Sequence, residues 1–420
     1  MIESEIKSVV EARYNRASWL KLLHGVFGAK VKFFAAPTTL TVEKAIASEA
    51  VYLGDVTLQD DHKIAVYEVH LSEHVNIERN RAGIRNLLCS QWRGAGFAGA
   101  FMLCYRNSES VLRFSYVSEA WGFDETGKYN KDATDPKRFT YLLGEGHRSR
   151  TAVQQFKELM NSDLTLKDVT KAFSVEALSK RFFDEYKRNY EEIVEYVTGK
   201  RAVKSGSKWE MQTTHAPNRK IMAQFAVFAD PEKAVRDYVK KLMGRLVFIQ
   251  FLQKKGWMGV PASDAAWKNG DKDFVQNLFK NTKNKDSFID DVLEPLFDDL
   301  NTKRENDLVS SEMVGKNIKV PYLNGGLFEK DAQDNTDFPL PKKFMEGLLE
   351  FFTQYNFTID ENDPDDAEVG VDPEMLSCIF ENLLEDNKEK GISYDDYAVI
   401  SSTNPEDAKV FISSNQEVYR

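Results

Sequence analysis

The chain has 420 residues, of which 42% are hydrophobic and 29% charged, and its formal net charge is −10. That length predicts two or three domains with sizeable cores, and that composition is ordinary for a soluble globular protein, which excludes a disordered or fibrous chain. No apolar run approaches the ~20 residues of a membrane span, and MIESEIKSVVEARYNR lacks the apolar core of a signal peptide, so a cytoplasmic protein with no membrane partner is expected. Cys89, Cys104 and Cys378 are widely spaced in apolar surroundings and read as buried thiols, not as a metal pair or a disulfide framework. The acidic excess lies beyond about residue 160, which leaves room for a DNA-facing surface in the N-terminal part.

In chain order, residues 4–26 carry apolar positions at helical spacing. Lys32–Ala36 reads as a short strand. Thr41–Ala50 reads as a short helix whose Glu43 and Glu49 are surface acids or, alternatively, further carboxylates of a site. Tyr52–Leu71 then reads as a hairpin: two β-rich runs, YLGDVTL and IAVYEVHL, flank the polar turn QDDHK. Strand alternation puts Ile64, Val66, Glu68 and His70 on one face and Ala65, Tyr67, Val69 and Leu71 on the other. Asp55 of the preceding strand is expected beside Glu68. Two carboxylates from neighbouring strands, with a polar group two residues beyond the second, suit a hard cation that takes oxygen ligands and keeps several waters. One such water can attack a phosphodiester. A solvated hairpin face explains the same acids without metal.

After the hairpin, HVNIERNRAGIRNLLCSQWRGAG pairs an apolar face with Arg79, Arg81, Arg85 and Arg93. These arginines either meet phosphates through their planar forks or pair with Glu73 and Glu78. AGAFMLCYR is a continuous apolar run and reads as a central strand; VLRFSYVSEAW alternates and reads as its neighbour. Asp124–Pro136 reads as a surface loop. From Leu164 the pattern is helical, with an aromatic stripe of Phe182, Phe183, Tyr186 and Tyr190 that reads as core. Thr198–Pro217, containing KSGSK, reads as a flexible junction. Pro231–Lys255 is the most apolar helix and is expected at the centre of a helical domain. Helices follow at Asp273–Lys280, Phe288–Leu300, Phe344–Phe352 and Pro373–Asp386, with a tight turn at Asn324-Gly325-Gly326 and an acidic loop over Asp360–Asp372.

The spacing Asp55-x12-Glu68-x-His70 resembles the D-x(n)-(D/E)-x-K signature of the PD-(D/E)xK nucleases, with His70 where that signature has Lys. RLVFIQFLQKKGW (Arg245–Trp257), PYLNGGLFE (Pro321–Glu329) and DPEMLSCIFENLLED (Asp372–Asp386) resemble the connector of single-chain type IIG restriction–modification enzymes, and YEV with IERNRAGIRNLL resembles their N-terminal nuclease part. In that family an adenine N6-methyltransferase follows the connector. Here Gly391 is followed by a divergent tail without an F-x-G-x-G loop or an Asn-Pro-Pro-Tyr motif, so no S-adenosylmethionine site is expected in this chain.

The resemblance implies an α/β (α+β) PD-(D/E)xK nuclease-like domain over residues 1–195, a linker over 196–217, an all-α connector over 218–390 and the tail 391–420. It implies an Mg²⁺-dependent endonuclease acting on double-stranded DNA in a restriction or phage-defence setting, with a separate methyltransferase or specificity chain as a partner. Asp55 and Glu68 would hold the metal, and His70 would orient the attacking water. Lys63, Arg79, Arg81 and Arg85 would contact DNA. A neutral His stabilises phosphorane charge less well than Lys, so weak or absent cleavage is expected, with a gain on His70→Lys. The rival readings are a non-catalytic DNA- or partner-binding module and a methyltransferase fragment, the latter opposed by the missing cofactor motifs.

Overall fold

A computed structural model describes residues 2–77, 87–92, 95–118, 122–123, 129–130, 137–205, 208–323, 326–357, 366–371, 398–400 and 410–412. The chain forms two compact units. The first holds residues 1–180, 353–356 and 362–371; the second holds the remainder. No helix among the described residues is long and apolar enough to cross a membrane.

In the first unit, the helical spacing over residues 4–26 is realised as two helices, α1 (Glu3–Val10) and α2 (Arg16–Phe27). The break has a local cause: Asn15 is extended, and its side chain accepts from the backbone N–H of Ser18 at 3.0 Å, which starts α2 afresh. The strands β1 (Val31–Leu40), β2 (Ala47–Thr57), β3 (Lys63–Leu71), β4 (Gly99–Tyr105), β5 (Leu112–Ser118) and β6 (Lys137–Leu143) lie in that order in one sheet, followed by a three-residue strand, Asp366–Glu368. Neighbours are antiparallel except β3 with β4, and β6 with Asp366–Glu368. Pro37 within β1 is tolerated because β1 is an edge strand, where the missing N–H costs no ladder bond.

β4 is buried along Gly99–Cys104, in agreement with its unbroken apolar run. One sheet face packs Ala65, Tyr67, Val69, Met102 and Cys104 against Leu88 and Trp92. The other stacks Phe101, Phe114 and Tyr116 on Phe27 of α2, Phe156 of α3 (Arg150–Met160) and Phe173, which follows α4 (Leu166–Ala172). A mixed α/β unit is thus built on a sheet covered on both faces.

Three sequence-based expectations fail here. Thr41–Ala50 is not a helix: after a turn, Ala47 opens β2, which pairs with both β1 and β3. Ladder bonds on two sides override the helical preference of this Ala- and Glu-rich stretch. Residues 196–217 are not a bare linker, because Lys200–Ser205 and Lys208–Thr213 form a six-pair antiparallel ribbon. The acidic stretch 360–372 is not wholly a loop, because Asp366–Glu368 extends the sheet. Residues 360–365, the expected helix 373–386, Asn324 and Gly325, and most of the tail lie outside the described residues.

The second unit is mainly helical. It takes up most of α5 (Val175–Thr198), then the ribbon, α6 (Arg219–Gln224), α7 (Pro231–Lys255), α8 (Phe274–Asn281), a π-turn at Ile289–Leu293 running into α9 (Glu294–Asn301), and α10 (Lys342–Thr353). α7 has the bounds the sequence predicts: Asp230 caps its start, Pro231 occupies its first turn and left-handed Gly256 ends it. Its buried Arg245 reaches the carbonyls of Leu327 and Glu329, both at 2.9 Å, and the Asp334 carboxylate at 3.0 and 3.1 Å. A central helix is thereby clamped to the GGLFE segment.

The β2–β3 register shifts by one residue between Tyr52 and Gly54. Gly54 has φ +154°, and a Cβ there would lie 2.1 Å from the carbonyl oxygen of Lys32 in β1. Gly54→Ala is therefore expected to destabilise the first unit by roughly 2 kcal/mol or more. Urea unfolding followed by far-UV circular dichroism measures the effect; an unchanged midpoint would mean that β1 and β2 do not approach as described.

Candidate functional site

Glu68 is the charged group to explain first, because it sits in a central strand and is only 3% exposed. A buried carboxylate needs partners, and most of them come from the break between α1 and α2. Arg16 grips it as a fork, Nε to Oε2 at 2.6 Å and a terminal guanidinium nitrogen to Oε1 at 2.7 Å. The Tyr14 hydroxyl donates to Oε2, and the Tyr105 hydroxyl approaches Oε1 at 3.4 Å. Burial raises the pKa of Glu68, but the hydrogen bonds from Arg16 and Tyr14 and the Arg16 charge outweigh it and hold the carboxyl below its ordinary range. Burial, with the neighbouring Glu68 charge, pushes the Tyr105 hydroxyl up to about 12. Arg16 stands at the first position of α2, so Glu68 also faces the positive end of that helix.

His70 lies two residues on, at the same strand end and on the same face. β3 and β4 run parallel here, and His70 pairs with Tyr105. The His70 ring stacks on Tyr105 with centroids 5.1 Å apart, and Tyr105 stacks on Tyr14 at 4.2 Å. The His70 Nε2 is buried and has no hydrogen-bond partner among the described residues. Glu49 of β2 pairs with His70 and so shares its face, and it is exposed. Carboxyl ends of parallel strands are where open α/β sheets place ligands. Glu68, His70, Glu49, Tyr105, Tyr14 and Arg16 are gathered at such an end.

The structure brings Glu68 and His70 together as the strand parity predicts, but it does not bring Asp55 to them. Asp55 pairs with Ala65, which faces the opposite side of the sheet. There it accepts from the Tyr52 hydroxyl, and its charge, after burial, helps to raise the pKa of Tyr67. The cause is the bulge: had the register of Tyr52 with Tyr67 continued, Asp55 would have met Ile64 on the Glu68 face. The carboxylate that shares the Glu68 face is Glu49, which the sequence offered only as an alternative. Lys63 is exposed at the opposite end of β3, seven residues from His70 and so roughly 23 Å away. It cannot supply charge beside His70. Arg79, Arg81 and Arg85 lie outside the described residues.

An Mg²⁺ ion shared by Asp55 and Glu68 does not fit these positions. The two carboxylates open on opposite faces, and both oxygens of Glu68 are already engaged by Arg16 and Tyr14. Among the described residues no group of three or more His, Cys, Asp or Glu side chains is placed to hold a metal ion.

No protein-family model matches the chain, and no solved structure matches it. A 212-residue stretch is 27% identical to a protein of Methanocaldococcus jannaschii described as a "Putative type II restriction enzyme and methyltransferase". The stretch is 48% of this chain and 17% of that protein, so the chain matches a small part of its relative's length.

The Arg16–Glu68 pair sets a pH signature. With its folded pKa depressed, Glu68 contributes stability that is present above its unfolded pKa, near 4.3, and is lost as pH falls through the folded value. Arg16→Ala leaves burial as the dominant influence and raises the folded pKa above the unfolded one. The sign then reverses: the variant is penalised at neutral pH and relieved as pH falls. Half-exposure of Arg16 discounts the loss at pH 7 to about 2 kcal/mol from the 3–5 typical of a broken buried pair. Thermal melts of both proteins between pH 4 and 8 (a window spanning the carboxylate range) should show the gap narrowing towards acid; a constant gap would exclude Glu68 as the titrating partner.

Proposed function

We propose that the chain is a DNA-binding, nuclease-like portion of a restriction–modification system, and that in the arrangement described here it holds double-stranded DNA without cutting it. The likeness to the M. jannaschii protein, described as a restriction enzyme and methyltransferase, supports the system. The mixed α/β unit, with Glu68-x-His70 at the strand end shared by the parallel strands β3 and β4, supports the fold reading. The single observation that carries the absence of cutting is the closed Arg16 fork on Glu68. The type IIG assignment, and methylation and target recognition supplied by another part or a separate chain, belong to the same proposal. Arg79, Arg81 and Arg85 would contact phosphates, and Lys63 would meet DNA only at the far end of β3.

A second reading is a conditional endonuclease. It is favoured by exposed Glu49 and by the buried His70 Nε2, which has no partner among the described residues, both at the Glu68 end of the sheet. It requires Arg16 to leave Glu68 before any cation could enter.

Nicking of supercoiled plasmid with Mg²⁺ or Mn²⁺ separates the two. The wild type is expected to leave the plasmid intact, and Arg16→Ala with His70→Lys is the variant expected to gain nicking, because it frees the carboxylate and supplies a cation. Wild-type cutting that Glu68→Ala abolishes would establish the second reading, and cutting that survives Glu68→Ala would remove the sheet end from the chemistry. Affinity for duplex DNA should fall steeply with salt, as counterion release requires. Replacing Arg79, Arg81 and Arg85 together by Ala should flatten that dependence; an unchanged slope would clear these arginines of phosphate contact.

A further inference from the structure

Glu294 belongs to the second unit and has no part in the site at Glu68. It stands where the π-turn Ile289–Leu293 runs into α9, and its own N–H closes that wide turn on the Ile289 carbonyl. Its side chain is half-buried, and it accepts a hydrogen bond from the Tyr238 hydroxyl of α7 at 3.2 Å. Tyr238 is 1% exposed. A neutral hydroxyl stabilises a carboxylate less than a cation does.

Cations are near, but they are committed elsewhere. Arg245 is taken up by the Asp334 carboxylate and by the Leu327 and Glu329 carbonyls. Lys241 reaches Asp331 at 2.6 Å and Asp334 at 2.8 Å, and the Asp334 side chain is fully buried. From the π-turn, half-buried Asp290 accepts from the Phe338 N–H at 2.8 Å and feels Asp337 and Asp291, with Lys220 of α6 as the cation opposing them. Around Lys241 and Arg245 the acids Glu294, Asp334, Asp331 and Asp290 therefore leave an excess of negative charge. Among the described residues no group of three or more His, Cys, Asp or Glu side chains is placed to hold a metal ion, which leaves a proton as the balancing charge. Burial, and then the Asp334 charge, push the Glu294 carboxyl up to about 7, against the opposing pull of Arg245, the Tyr238 hydroxyl and Lys241.

We propose that Glu294 is a proton-dependent latch of the second unit: protonated, it lets the π-turn and the start of α9 lie against α7, and ionised, it turns them out towards water and loosens the segment that Arg245 clamps. The geometry couples the two events. Phe297, one turn further along α9, lies under the Arg245 guanidinium with its ring centre 4.9 Å away, so an outward movement of Glu294 draws off the ring beneath the clamp. The π-turn is where the helix can give, since single turns of this kind are rare and recur at functional positions. The sign is that of a raised carboxyl. The folded chain holds a proton that the unfolded chain has lost above about 4.3, so the latch weakens as pH rises towards the folded value and stays weakened above it.

The test is hydrogen–deuterium exchange of the full chain at about pH 6 and about pH 8, read by mass spectrometry and corrected for the intrinsic exchange rate of amides. The wild type is compared with Glu294→Gln, which keeps the shape of the protonated side chain. A titration near 7 makes opening about tenfold more favourable across that window. Corrected exchange of peptides covering the π-turn and α9 should therefore rise about tenfold in the wild type and stay level in Glu294→Gln. Tyr238→Phe removes a hydroxyl that favours the ionised carboxyl, so its rise should begin at higher pH. An equal rise in Glu294→Gln would assign the opening to another group and overturn the latch, as would a wild type whose exchange does not change. Circular dichroism checks that the variants fold; should Glu294→Gln not fold, the wild-type rise and the direction of the Tyr238→Phe shift decide. None of these results bears on the restriction reading, which is tested at Glu68 and at Arg79, Arg81 and Arg85.

Discussion

A carboxylate in the middle of a sheet must be paired, and Glu68 places that demand on the whole first unit. Its backbone is fixed by β2 on one side and β4 on the other, so it cannot move to solvent. The partners have to be brought to it. Tyr14 and Arg16 are delivered by ending α1 at Val10 and restarting at Asn15, whose side chain caps the new helix. The same restart turns α2 so that Trp19 and Phe27 reach the Phe114 and Phe101 rings of the sheet. The ion pair and the aromatic layer are therefore two consequences of one helix break. A fork that satisfies both oxygens explains why the carboxylate stays ionised at this depth, and it is also what keeps a cation away.

The legible parts of the fold were those with redundant local signals. Pro231–Lys255 carries an acid cap, a Pro in its first turn, an apolar interior and a closing Gly, and its bounds emerge as the sequence predicts. Glu68 and His70 share a face because alternation within one unbroken strand is a strong rule. Alternation does not place Asp55, because parity is not transmitted across a bulge. The signal was present, in that Gly54 interrupts an otherwise β-rich run, and a glycine inside a strand marks a bulge or a close backbone approach. Here it marks both. The Ala-, Glu- and Lys-containing stretch around Glu49 favours a helix locally, and only pairing on two sides makes it a strand. Tyr14 and Arg16 had no signal at all. They lie more than fifty residues from Glu68 in the chain, and no periodicity connects them. The ribbon has little local signal, since Ser-Gly-Ser between lysines has the composition of a linker.

The connector motifs carry a physical content that their resemblance alone does not supply. Arg245 belongs to RLVFIQFLQKKGW, and three of its acceptors, the Leu327 and Glu329 carbonyls and the Asp334 carboxylate, belong to or follow PYLNGGLFE. Lys241, one turn earlier on α7, reaches Asp331 and Asp334 at 2.6 and 2.8 Å. Two segments about eighty residues apart are thus joined by one buried guanidinium, which a shorter or neutral side chain would not replace. Nearby Glu294, at the exit of the π-turn, is pushed up to about 7 by burial and by the Asp334 charge. This cluster accounts for the pairing of the two motifs as a matter of folding.

The division between the units also follows from hydrogen bonding more than from sequence distance. The chain leaves the first unit at Lys180, inside α5, and returns to it at 353–356 and 362–371. On its return Asp366–Glu368 pairs in parallel with β6, the Val369 N–H donates to the Thr140 carbonyl at 2.7 Å, and the Val371 N–H donates to Asn356 at 2.7 Å. Without that strand β6 would present an open edge of unpaired N–H and C=O groups, which is the geometry that invites pairing with another chain. A boundary near residue 195 therefore separates the sequence but not the fold. The sheet that carries Glu68 is completed by residues lying beyond most of the helical unit, and neither unit is a contiguous piece of chain.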